Sequence, residues 1–161
     1  MTEVVISEAA KEDRKQLLDW FEHYSIKELV KNRVDCYLMH NFTVVAKKTS
    51  KIVGVLQWYI KEDPKSGIGE IEELFVLEEY RGRGIGLQLV KFTVQSIISH
   101  FERINIKPRK VFAFVSKENK VAKLAFERNG FKPVSRIDGL FSDSEEVLLY
   151  LLDLSSESCQ K

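Results

Sequence analysis

The run Arg81-Gly82-Arg83-Gly84-Ile85-Gly86 joins two stretches of different periodicity, and it constrains the fold more than any other feature of the chain. Ahead of it, Ile71-Glu72-Glu73-Leu74-Phe75-Val76 is apolar and β-branched enough to predict a buried strand. Behind it, Val90, Val94, Ile97, Ile98 and Phe101 recur every three or four residues, the spacing of an amphipathic helix. A strand, a glycine-rich turn and a helix start together make an anion site. Glycine allows positive φ and close approach of the backbone to a ligand. The first amides of the helix have no acceptor within it, and the helix dipole favours negative charge there. Arg81 and Arg83 add positive charge at the same place.

Two familiar phosphate loops do not fit. A dinucleotide fingerprint needs a glycine at position 87, which is Leu, and a nucleotide P-loop needs Gly-Lys-Ser or Gly-Lys-Thr, which does not follow here. What remains is Arg81-x-x-Gly84-x-Gly86, preceded by Val76 and Tyr80. This arrangement resembles the coenzyme-A pyrophosphate loop of the GNAT family of N-acetyltransferases. Further along, Asn119-Lys120-Val121-Ala122, then Phe126 and Asn129-Gly130-Phe131, resembles the second signature of that family. Both motifs stand in the family's order, and the resemblance runs over roughly residues 3 to 154.

The remaining segments predict an α+β fold with a mixed sheet, in the order β-α-α-β-β-β-α-β-α-β-β. Val4 to Ser7 reads as a strand, and Leu17, Leu18, Trp20, Phe21 and Tyr24 mark a first helix. A second helix follows from about Ile26 to Leu38. Phe42 to Ala46 and Ile52 to Tyr59 form a hairpin, in which Gly54 points to a bulge or a close backbone approach. Val111 to Val115 is continuously apolar and predicts a strand covered on both faces. Asn119 stands at an N-cap position, and Asn129-Gly130 closes the short helix after it. Phe131 to Ile137 and Val147 to Leu154 are the last strands. One domain over 1–154 with a polar tail over 155–161 suits 161 residues.

Composition excludes several classes of function. A net charge of +1 argues against bulk binding to nucleic acid or to an anionic membrane. No apolar run is long enough to span a bilayer. Cys36 and Cys159 are far apart, and His23, His40 and His100 form no cluster at metal spacing, so no disulfide framework or metal site is expected. A cytoplasmic monomer or homodimer is the expectation.

The resemblance implies acetyl transfer from acetyl-coenzyme A to a primary amine, by direct attack in a ternary complex. Arg81, Gly82, Arg83, Gly84, Ile85 and Gly86 would hold the pyrophosphate. The backbone of Phe75, Val76 and Leu77 would pair with the pantetheine arm, and the Val76 amide would face the thioester carbonyl. Asn119 would reach the cofactor or cap its helix. Phe126 stands where many members carry a tyrosine that protonates the leaving thiolate; Tyr59, Tyr80 and Tyr150 are possible replacements.

An amine must lose a proton before it attacks, and a nearby carboxylate can take it. Glu72 and Glu73 form the only acidic pair in a segment expected to be mostly buried. Strand alternation would send them to opposite faces. The spacing from Glu72 to Val76 resembles the base position in polyamine-type members of the family, which gives Glu72 a slight preference as base and leaves Glu73 open. Trp20, Tyr24, Tyr37, His40, Trp58 and Phe141 are possible liners of the acceptor groove, and Asp138, Asp143, Glu145 and Glu146 would suit a cationic amine. A different class of function, an acyl-coenzyme-A sensor or scaffold with little turnover, follows from the missing tyrosine.

Overall fold

The computed structural model describes residues 3–22, 27–40 and 42–155. Tyr24, Ile26, Cys159 and most of the polar tail therefore lie outside the described residues. Seven strands form one sheet: β1 Val4–Glu8, β2 Thr43–Lys48, β3 Lys51–Ile60, β4 Ile68–Val76, β5 Lys110–Ser116, β6 Lys132–Asp138 and β7 Glu146–Asp153, in the spatial order β1-β2-β3-β4-β5-β7-β6. All neighbours are antiparallel except β4 and β5. The helices among the described residues are α1 Arg14–Phe21, α2 Lys27–Met39, α3 Ile85–Arg103 and α4 Lys120–Glu127. This is the predicted mixed sheet in the predicted order.

Two apolar cores lie against the sheet. Leu56, Trp58, Ile71, Leu89, Val90, Ile97, Phe101, Val111, Ala113 and Tyr150 join α3 to β3, β4, β5 and β7. Leu17, Phe21, Val30, Val34, Val45, Ile52 and Val55 join α1 and α2 to β2 and β3. Burying side chains of this size stabilises a fold by about 1.5–3 kcal/mol each. Gly54 shows both expected features. The backbone carbonyl of Phe75 would lie 3.3 Å from a Cβ added there, with Leu89 Cδ1 at 3.0 Å, and the β2–β3 register slips beside it, from Ala46 opposite Gly54 to Lys47 opposite Ile52.

The strand over 110–116 departs from expectation. Burial alternates along β5: Val111, Ala113 and Val115 are buried, while Phe112 and Phe114 are half-buried and belong to neither core. The apolar run therefore has one covered face and one partly open face.

The single parallel pairing sets up the site. β4 pairs with β5 only from Ile68 opposite Lys110 to Ile71 opposite Ala113. On its other edge β4 stays paired with β3 as far as Val76. The two parallel strands thus part after Ile71, and among the described residues one edge of β4 from Glu72 to Val76 is left without a strand partner. Asn129 ties α4 beside the gap, donating through Nδ2 to the carbonyls of Leu87 (3.1 Å) and Ala125 (2.8 Å). Gly130, at φ +85°, then turns the chain into β6.

Candidate functional site

Two adjoining clefts fill the gap between β4 and β5. One, of about 550 Å³, runs along Leu74, Phe75 and Val76 to the glycine turn, and is closed by Asn119, Val121, Leu124 and Arg128 of the α4 segment. The other, of about 320 Å³, continues past Asn119, Ala122 and Phe126 to Glu72 and Glu73, with Trp20, Phe21, Phe114 and Ser116 as further walls. Leu74, Phe75, Asn119 and Ala122 line both.

The glycine turn meets the requirements of an anion cradle. Gly82 and Gly84 hold φ of +73° and +76°, where a Cβ is disfavoured. A Cβ added at either would meet nothing within 4 Å, so the space in front of the loop is open for a ligand. The first hydrogen bond of α3 runs from Gln88 N–H to Gly84 O at 3.1 Å. The amides of Ile85, Gly86 and Leu87 consequently have no acceptor within the helix, at the positive end of its dipole. Arg81 lines the larger cleft, donates from Nε to Val76 O at 3.0 Å and lies over the Phe75 ring. Arg83 points elsewhere: it donates to Glu79 O at 3.0 Å, lies over Tyr80 and is not among the lining residues. Leu77 is also outside the lining; its N–H bonds to Val53 O at 3.0 Å. Backbone groups alternate along a strand. The Val76 N–H and C=O therefore face the open edge, where Arg81 takes the carbonyl. Asn119 caps α4 by accepting from Ala122 N–H at 3.0 Å.

The glutamates do not point to opposite faces. Gln57 sits opposite Glu73 and Trp58 opposite Ile71, so Glu72 is an extra residue, a bulge in β4. The bulge resets the alternation and brings both carboxylates to the side of α2. Arg33 Nη2 reaches Glu72 Oε2 at 2.7 Å and Glu73 Oε1 at 3.3 Å. Tyr37 also donates its hydroxyl to Glu72 Oε2. Among the described residues Glu72 is thus held by two partners, whereas Glu73 has only the longer contact. Desolvation, which outweighs the nearby Arg33 and is reinforced by Glu72, raises the Glu73 carboxyl above the ordinary glutamate value. Tyr37 is pushed up by its own burial and by the Glu72 carboxylate. A second phenol–carboxylate pair adjoins: Tyr59 donates to the buried Glu70 at 2.5 Å, with Lys61 Nζ 3.6 Å from the same carboxylate.

The aromatic candidates separate clearly. Phe126 is buried, edge-on to Phe131 at 5.1 Å and tilted on Tyr150 at 6.2 Å. Tyr150 is committed to Glu127 at 2.8 Å and pushed up to about 12 by burial and that bond. Tyr59 is committed to Glu70, and Tyr80 lines the larger cleft beside the glycine turn. Among the described residues Ser116 has the only hydroxyl in the walls of the smaller cleft. Trp20 is a wall, but Trp58 lies in the core with Phe42 and His100. Arg33 and Arg128 escaped sequence reasoning. Arg33 stands in no motif, and only the tertiary structure brings it to the glutamates; Arg128 belongs to the charged pair of the second motif, yet nothing in the sequence placed its side chain at the larger cleft.

Among the described residues no group of three or more His, Cys, Asp or Glu could hold a metal ion, and no helix is long and apolar enough to cross a membrane.

Comparison with known proteins agrees with this geometry. The model of the acetyltransferase (GNAT) family matches residues 8–131. Among solved structures, Ard1 from Thermoplasma volcanium superposes with a TM-score of 0.74 at 16% identity, covering 95% of this chain and 99% of its own. Salmonella typhimurium yncA, solved with its cofactor acetyl-CoA, gives 0.74 at 13% identity, covering 99% of both chains. The ribosomal-protein-alanine N-acetyltransferase of Brucella melitensis gives 0.74 at 18% identity, covering 93% of this chain and 99% of its own. No curated protein matches the chain in sequence.

Proposed function

The chain belongs to the GNAT acetyltransferase family, and on that premise we propose that it transfers an acetyl group from acetyl-CoA to a primary amine by direct attack in a ternary complex. The observation that carries this reading is the open edge of β4, with an anion cradle at one end and a glutamate pair at the other. The larger cleft has the parts an acetyl-CoA molecule needs. Gly82, Gly84 and the first amides of α3 would take its pyrophosphate, with Arg81 and Arg128 nearby. The free edge of β4 would pair with the pantetheine arm in the manner of an added strand. The Val76 N–H, on the open edge, is suited to the thioester oxygen as charge builds on it.

Glu73 is the better general base. It lines the cleft, keeps only the 3.3 Å contact to Arg33 among the described residues, and is shifted upward by desolvation. It takes the first proton that the ammonium loses, and the nitrogen attacks the thioester carbon. As the carbon–sulfur bond breaks to leave a thiolate, the nitrogen gives its second surplus proton to solvent, so that a neutral amide forms. With Phe126 lacking a hydroxyl, Tyr150 and Tyr59 committed elsewhere, and Tyr80 beside the glycine turn rather than in the cleft of the glutamates, solvent protonates that thiolate.

Since the base must be ionised, activity falls as pH drops through the Glu73 pKa. Arg33 lowers that value and Glu72 raises it. Arg33→Gln is therefore expected to move the acid limb of kcat/KM to higher pH, and Glu72→Gln to move it to lower pH. Shifts in the same direction for both variants would exclude Glu73 as the titrating group.

The absence of a hydroxyl at Phe126 favours one other reading, an acyl-CoA-binding sensor or scaffold with little turnover. Calorimetric titration with acetyl-CoA, then free-thiol release against an amine panel in the same samples, decides between them. Binding with thiol release establishes transfer. Binding without release on any small amine or peptide supports the sensor. No binding would mean that the glycine turn is only a turn.

A further inference from the structure

The smaller cleft is poorly suited to a polycation. Among the described residues only Glu72 and Glu73 of its walls are ionisable, and one guanidinium, that of Arg33, already bridges them. One uncompensated negative charge is left, enough for one ammonium. Aromatic faces could attract further cations, but the protein's own arginines lie over two of them: Arg33 over Phe21 at 6.0 Å and Arg81 over Phe75 at 5.5 Å. Nor are the acids of the β6–β7 segment all available. Arg136 holds Asp138 at 2.9 Å and Glu146 at 2.5 Å, and Lys117 also reaches Glu146. A heavily hydroxylated amine would fare no better, because among the described residues Ser116, Asn119 and the indole of Trp20 are the only uncharged polar side chains in the walls.

One part of the wall remains uncommitted, and it is apolar. Phe114 faces the cleft on the open face of β5, outside both cores. Phe112 meets it edge-on at 5.8 Å, and Phe141, from the segment between β6 and β7, meets it edge-on at 6.4 Å. Phe141 is 66% exposed and its neighbour Leu140 is 40% exposed, an unusual outlay of apolar surface for a turn. The aromatic row is continuous with the cleft that holds the carboxylates, so a ligand anchored by its nitrogen at Glu73 would extend along it.

Resting on the transfer reading above, we propose that the acceptor is a primary amine with an apolar, ring-sized group beside its nitrogen, and that Phe114 and Phe141 form the subsite for that group. The amine carries one positive charge, matched by the one left uncompensated at the glutamate pair. Its apolar group covers the exposed rings. A free arylalkylamine and a peptide N-terminus with an aromatic first residue share this chemistry.

The test measures kcat/KM at saturating acetyl-CoA for phenethylamine, ethylamine, spermidine and glucosamine, and for two short peptides identical except for Phe or Gly at the first position. Cofactor binding is followed separately by calorimetry. Phenethylamine is expected to exceed ethylamine, or the Phe peptide to exceed the Gly peptide, by roughly tenfold or more. The pair with the larger kcat/KM names the source of the amine. Phe141→Ala, at an exposed position that does not threaten the fold, is expected to shrink that ratio several-fold through KM, and Phe114→Ala to shrink it further. Spermidine or glucosamine turned over as well as phenethylamine and the Phe peptide would overturn the subsite, as would a ratio near one or a ratio untouched by Phe141→Ala. Acetyl-CoA binding without turnover of any apolar amine would overturn it as well. Failure to bind acetyl-CoA would instead overturn the transfer reading.

Discussion

Glu73→Gln is expected to lower kcat by about 10²–10⁴-fold, the range ascribed to a positioned general base, while the Kd for acetyl-CoA stays within a few-fold of the parent. The substitution keeps the size of the side chain and can still accept a hydrogen bond from Arg33 Nη2, which lies 3.3 Å from Glu73 Oε1. It removes the ability to take a proton together with the one negative charge left over for the ammonium, so KM for the amine rises as well, and it leaves the cofactor cleft unaltered. Glu72→Gln is expected to cost much less at the pH optimum. Glu72 is held by Arg33 at 2.7 Å and by Tyr37, so its role is to anchor α2 to the bulge and to load Glu73 electrostatically. Single-turnover rates for the two variants, beside calorimetric titrations, separate the roles. A large loss at Glu72 with a small one at Glu73 would reverse the assignment. Equal losses accompanied by weakened cofactor binding would point to a collapsed cleft rather than to a missing base.

The pair also shows where reading by sequence pattern stops. Alternation along a strand is a local rule, and it assigns opposite faces to adjacent residues. A bulge breaks that rule through a nonlocal cause: β3 pairs with β4 on either side of Glu72 and skips it. Nothing in Ile71-Glu72-Glu73-Leu74 announces the skip. The same limit applies to β5, whose five apolar residues look alike in sequence although no buried core covers Phe112 and Phe114. Arg33 is a third case. It is an unremarkable cation on a helix, and its role depends on carboxylates 39 and 40 positions away meeting it in space. By contrast, the glycine turn, the Asn119 cap and the Asn129-Gly130 stop were legible because each depends on backbone chemistry confined to a few residues.

The glycine turn yields the other large effect. Gly84→Glu is expected to weaken acetyl-CoA binding on the order of 100-fold. Two costs act there, and neither depends on packing, since a Cβ at Gly84 would meet nothing within 4 Å. The first is conformational. At φ +76° an L-residue is disfavoured by about 1–2 kcal/mol, and relief of that strain would swing the first turn of α3 out of line. The second is electrostatic. A carboxylate at the N-terminus of α3 competes for the same free amides and dipole as the ligand's phosphates and repels them; two like charges a few ångströms apart interact by roughly 3–4 kcal/mol at an effective dielectric near 20. Part of that repulsion is relieved by solvent and salt, hence the more modest 100-fold. Gly86→Ala is the matched control. Gly86 has no positive φ, and its added Cβ would lie 3.9 Å from Leu74 Cδ2, an ordinary contact, so binding should change by no more than a few-fold. The strain in Gly84→Glu should also appear without ligand, as a fall in Tm of roughly 2–4 °C for each kcal/mol lost. Weakened binding with no fall in Tm would assign the whole effect to charge. A lower Tm with unchanged binding would show that the turn holds no phosphate, and the acetyl-CoA assignment would lose its anchor.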